Sequence, residues 1–125
     1  MEPEGPADYF NRANVAASRY QWDEAIACLR AVVKAKPEFW QGRYQLGVQL
    51  AGKGEIEDAK KQFLEVIRYH PDFIEAHLDL GTALATQGKP DQALAEFHKV
   101  LQLDPANASA RQQITAIETA LPHSH

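Results

Sequence analysis

A single cysteine, Cys28, stands in the 125 residues, so no disulfide can close within the chain and a disulfide-stapled secreted scaffold is excluded. No His or second Cys is placed beside it, and it reads as a small packing residue, not a reactive thiol. Runs of Lys or Arg are missing too. With 13 basic and 17 acidic side chains the formal charge is −4, and nothing is arranged to track a phosphate backbone, so nucleic acid is not an expected partner. No stretch approaches a membrane span, and the opening Met1-Glu2-Pro3-Glu4-Gly5-Pro6 lacks the apolar segment of a secretion signal; the expected setting is the cytoplasm, with no membrane partner. There is no Ser/His/Asp order, no glycine-rich phosphate loop and no cluster of ligands. His70 and His98 have no His or Cys at ligand spacing, and His123 and His125 close a tail. No catalytic residue, no metal and no cofactor is therefore assigned.

What the chain has instead is a period. Pro37, Pro71 and Pro105 are 34 residues apart, and Ala25/Ala59/Ala93, Leu29/Phe63/Phe97 and Val32/Val66/Val100 keep the same step. A fixed period of this size marks a unit too small to bury its own apolar face, which stacks on copies of itself. The copies are residues 6–39, 40–73 and 74–107, preceded by a flexible 1–5 and followed by a segment 108–121 and a flexible tail 122–125.

Short breaks carrying Gly or Pro separate the apolar segments and predict seven helices near 7–19, 22–35, 40–52, 56–69, 74–86, 90–103 and 108–121. In the second helix of each copy the apolar residues recur at three and four, as in Ile56, Ala59, Phe63, Val66 and Ile67, so that stripe is core. Gly47 and Gly81 lack side chains and let helix backbones approach, while Pro90 opens a helix at its first turn. The last helix, with Ile114, Ile117 and Leu121 along one side, caps the exposed end of the third copy.

The second copy carries Leu46-Gly47, Leu50, Ala59, Phe63, Val66 and Pro71; the third carries Leu80-Gly81, Leu84, Ala93, Phe97, Val100 and Pro105; the first offers Tyr9, Ala25, Leu29, Val32 and Pro37. In this pattern each copy resembles a tetratricopeptide repeat, and the three together cover 102 of the 125 residues. The resemblance implies an all-α fold, a right-handed α-solenoid of three antiparallel helix pairs plus a seventh capping helix. Its function would be binding of protein or peptide, without catalysis. The first copy departs from the pattern: Arg12-Ala13 replaces Leu-Gly, and Tyr20 stands where the later copies have Gly54 and Gly88. Arg43 and His77 occupy the large-residue slot at repeat position 4.

Stacked helix pairs curve, and the first helices line the concave side. Positions 2, 5, 6, 9 and 12 fall opposite the Leu-Gly stripe by the helical period. The candidate ligand-binding residues on that face are Phe10, Asn11, Asn14, Gln41, Tyr44, Gln45, Val48, Glu75, Leu78, Asp79 and Thr82, with Gln113 continuing the row. Phe10, Tyr44 and Leu78 form an apolar line expected to point away from the core. Asn11, Gln45, Asp79 and Gln113 form a polar line whose amides can pair with a peptide backbone, similar to the asparagine ladder of O-linked N-acetylglucosamine transferases. Repeat domains that clamp chaperone C-terminal carboxylates use Lys and Asn in the first repeat, Asn in the second, and Lys and Arg in the third. Of those positions only Asn14 matches, and Glu75 and Asp79 invert the last two charges. The expected ligand is a neutral or basic segment, not a chaperone tail. Self-association would use Tyr9, Ala13 and Ala16 on the first helix, and a convex-side partner would meet Lys60, Lys61 and Arg68. The alternative role is a scaffolding or oligomerisation arm of a larger protein or assembly, since no cap precedes the first copy.

Overall fold

Each proline of the 34-residue series sits where its fixed φ is useful. Lys36-Pro37-Glu38-Phe39 closes a turn in which the Phe39 amide donates to the Lys36 carbonyl at 3.0 Å, with Pro at the second position that such turns favour. The same bond runs from Phe73 to His70 at 3.1 Å and from Asn107 to Asp104 at 3.0 Å. A helix starts directly after each turn. The computed structural model describes residues 5–120, and there the helices are α1 (Pro6–Ser18), α2 (Trp22–Ala35), α3 (Trp40–Lys53), α4 (Ile56–Tyr69), α5 (Ile74–Thr86), α6 (Pro90–Leu103) and α7 (Ala108–Ala120). The expected boundaries hold to within one residue. Leu121, the segment 1–4 and the tail with its two histidines lie outside the described residues. Among the described residues no helix is long and apolar enough to cross a membrane.

The turns inside the helix pairs share one geometry. In each, the chain passes through the left-handed region, at Tyr20 (φ 57°), Gly54 (φ 93°) and Gly88 (φ 73°). The amides of Gln21, Glu55 and Lys89 then reach back five residues, to Ala16, Leu50 and Leu84, at 2.9 Å each. These bonds satisfy carbonyls that the ending helix leaves open. The turn is thus the same in all three copies, although the first makes it with a tyrosine.

The helices group into two units, Met1–Tyr69 and His70–His125. In the first, α1 packs on α2, α2 on α3 and α3 on α4; in the second, α5 packs on α6 and both meet α7. The close-approach glycines act within the pairs. A Cβ on Gly47 would lie 2.6 Å from Cε1 of Phe63, and one on Gly81 would lie 2.7 Å from Cε1 of Phe97, so each glycine is seated against the ring of its partner helix. The first copy holds Ala13 and Leu29 at these positions, both buried. A methyl is tolerated there because leucine replaces the larger ring.

Two surface expectations are corrected by this packing. Ala13 and Ala16 are 1% and 2% exposed, buried within the α1–α4 unit, and cannot form an outer self-association face. Lys60, expected on the outside, is buried along its stem, with its ammonium 3.4 Å from Glu57; Lys61 and Arg68 are exposed.

Candidate functional site

The position-4 departures have a common structural role. Arg43 Nε donates to the Pro37 carbonyl at 3.2 Å, Arg111 donates to the Pro105 carbonyl through Nε at 3.1 Å and Nη2 at 2.8 Å, and His77 Nε2 lies 2.7 Å from the Pro71 carbonyl oxygen. In every case the donor follows its proline by six residues, so the first turn of a helix is tied to the turn that precedes it. His77 reaches further. Its Nδ1 is 2.7 Å from Oε2 of Glu96, and the ring is 1% exposed. A carbonyl can only accept, so Nε2–H donates to Pro71, and Nδ1 faces the Glu96 carboxyl group. This joins α5, α6 and the proline turn.

In the first unit, the face of α1 and α3 carries most of the expected ligand-binding residues. Asn11, Asn14 and Gln41 are exposed there, while Gln45 and Val48 are half-buried. Phe10 and Tyr44 are not the outward-pointing anchors expected. Phe10 is half-buried and packs edge to face on Phe39, with ring centroids 5.2 Å apart at 80°. Tyr44 is half-buried and lies 6.0 Å from the core ring of Phe63. Both therefore belong partly to the fold, because position 5 sits at the flank of the packing stripe and an aromatic side chain is long enough to fold back over it.

Phe10 and Asn11 also border a cavity of about 200 Å³, completed by Pro6, Ala7, Val32, Lys36 and Phe39. Val32, Lys36 and Phe39 come from the end of α2 and the following turn, far from Phe10 in the chain, and were not legible as site residues. The one available signal was the aromatic that closes the turn in two copies, Phe39 and Phe73. Among the described residues of this lining Lys36 is the only ionisable group, so they make a mostly apolar wall with one cation.

In the second unit, Glu75 and Thr82 are exposed on α5, and Leu78 and Asp79 are half-buried. The Thr82 hydroxyl donates to the Leu78 carbonyl at 3.0 Å, which occupies its donor within the helix. Gln113 is exposed on α7. Among the described residues no group of three or more His, Cys, Asp or Glu is placed to hold a metal. Cys28 is buried.

A family model described as "Tetratricopeptide repeat" matches residues 10–59 and 44–108. The search of curated proteins returns no match. Among solved structures, the Arabidopsis OM64 TPR domain superposes with a TM-score of 0.87 at 17% identity, over 93% of this chain and 96% of that one. The first TPR of Spaghetti (RPAP3), bound to the HSP90 peptide SRMEEVD, gives 0.87 at 18% identity over 96% and 95%. The second TPR domain of human RPAP3, in complex with the HSP70 peptide SGPTIEEVD, gives 0.84 at 23% over 91% and 98%. At these identities the likeness is one of fold: an all-α solenoid of helix pairs.

Proposed function

We propose, since the chain belongs to the tetratricopeptide repeat family, that it is a non-catalytic interaction module taking an extended peptide or partner segment along the first-helix faces of its repeats. The observation that carries this reading is the cavity at Phe10 and Phe39. It is mostly apolar, open to solvent on the expected face, and sized for one side chain of a ligand. Exposed amides at Asn11, Asn14 and Gln41 beside it offer donors and acceptors to a peptide backbone.

The charge of the ligand is the finer part of the proposal. On the second unit, Glu75, exposed on α5, favours a basic residue in a segment bound to that face. Two of the fold neighbours hold peptides ending in Glu-Glu-Val-Asp, and Lys36 stands on the rim of the cavity, and both bear against excluding acidic tails outright. The exclusion rests on the face positions themselves: Phe10, Gln45, Glu75 and Asp79 stand where a carboxylate clamp has Lys, Asn, Lys and Arg. Titration with the SRMEEVD peptide is expected to give no saturable binding. The partner recovered by pull-down from the source cells should bind the Glu75→Lys variant more weakly than the parent, with the difference shrinking as salt is raised.

Phe10→Ala tests the site itself. Loss of the ring is expected to weaken partner binding by about 2 kcal/mol, in the range of an aromatic anchor. Because Phe10 also packs on Phe39, affinity is compared at a temperature where circular dichroism shows both proteins folded. Equal affinity of parent and Phe10→Ala for the recovered partner would remove this face as the binding site.

A further inference from the structure

Tyr20 holds a left-handed backbone conformation (φ 57°) that its two counterparts fill with glycine, at Gly54 and Gly88. A side chain is disfavoured in that region. Burial does not compensate, because Tyr20 remains 74% exposed. Its ring instead stands beside Trp22, with centroids 6.0 Å apart and planes at 60°. The indole is held firmly on α3, since a side chain at Gly52 would overlap its Nε1. Two aromatic faces are thus presented together at the α1–α2 turn, one anchored and one solvent-facing.

The charges around them are mostly acidic. Asp23, Glu24 and Lys53 line the hollow that the two rings border. Lys53 is ion-paired to Asp23 and lies 3.4 Å from Glu55. The hydrogen bond and charge of Asp23, and then Glu55, hold the ammonium above the ordinary lysine range, so its positive charge is already committed. The adjoining hollow on the α1 side, which Glu24 also lines, carries Arg12 and Arg19. Within the hollow that the rings border, two carboxylates, Asp23 and Glu24, stand against the one cation Lys53, which leaves an excess of negative charge beside electron-rich rings. A guanidinium suits this combination, since it stacks on aromatic faces and pairs with a carboxylate through a planar fork.

We propose that Tyr20 and Trp22, flanked by Asp23 and Glu24, form a docking site for an arginine side chain on a basic segment of a partner protein. This site is separate from the first-helix faces and does not depend on them. The test follows the Trp22 indole N–H signal by NMR, with that of Trp40 as the control, while blocked tri-arginine or blocked tri-citrulline peptide is added. Tri-arginine should move the Trp22 signal saturably and leave Trp40 in place; the neutral citrulline isostere should move neither. Tyr20→Gly adopts the residue of the other two copies, so it should melt at or above the parent temperature while its dissociation constant rises about tenfold. Tyr20→Phe keeps a ring there and should stay within about twofold of the parent. The proposal is overturned by an unmoved Trp22 signal, by an equal response to citrulline, or by parent-like affinity in Tyr20→Gly. It is equally overturned if sedimentation shows the parent self-associating and Tyr20→Gly dispersed, which would make the occupant a second copy.

Discussion

Phe97→Ala is expected to lower the stability of the second unit by about 3–5 kcal/mol, the range for emptying a buried aromatic site. The ring is fully buried and its edge rests on Gly81. Gly81→Leu attacks the same contact from the other side. Its Cβ alone would meet Cε1 of Phe97 at 2.7 Å, so overpacking should cost about 1–3 kcal/mol. The two substitutions together should cost clearly less than their sum, because the leucine at 81 enters the space the phenylalanine has left. A coupling of about 1–3 kcal/mol is expected for residues in such contact. Urea unfolding of the two single variants and the double variant measures it. Strict additivity would mean that Gly81 and Phe97 do not share a contact. The chain already contains the compensated form of this pair, since Ala13 and Leu29 stand at the same positions in the first copy.

The second large effect is expected at His77. Leucine at this position would remove the donor to the Pro71 carbonyl and the partner of the Glu96 carboxylate, both at 2.7 Å in the parent. One bond is to a charged group, and the expected loss is about 2–3 kcal/mol. His77→Arg should recover at least half of it. Arginine is the residue at positions 43 and 111, where it donates to the corresponding proline carbonyl, and its fork has donors to spare for Glu96. Hydrogen exchange of the α5 and α6 amides reports the local stability directly. If His77→Leu exchanges like the parent, or His77→Arg like His77→Leu, the six-residue tie is not a stabilising element.

The segmentation of the fold was legible because the signals that set it are local. Pro37, Pro71 and Pro105 mark turns by their fixed φ, Gly54 and Gly88 mark helix ends by their tolerance of positive φ, and the three-and-four spacing of Ala59, Phe63 and Val66 marks a buried stripe without reference to any distant residue. The 34-residue period then implied stacking, because one such helix pair cannot bury that stripe alone. Depth within the packed unit was decided elsewhere. Helical periodicity assigns a residue to a face, but how far a side chain at the edge of that face is covered depends on the crossing of its neighbours and on the rotamer they permit. So Tyr44 and Phe10 turned out half-buried against Phe63 and Phe39, Ala13 and Ala16 lay inside instead of outside, and Lys60 was buried along its stem. The cavity beside Phe10 needed Val32 and Lys36 from another helix, and the partner of His77 was a glutamate 19 residues away. Those contacts join residues that no sequence spacing pairs, and only the tertiary packing brings them together.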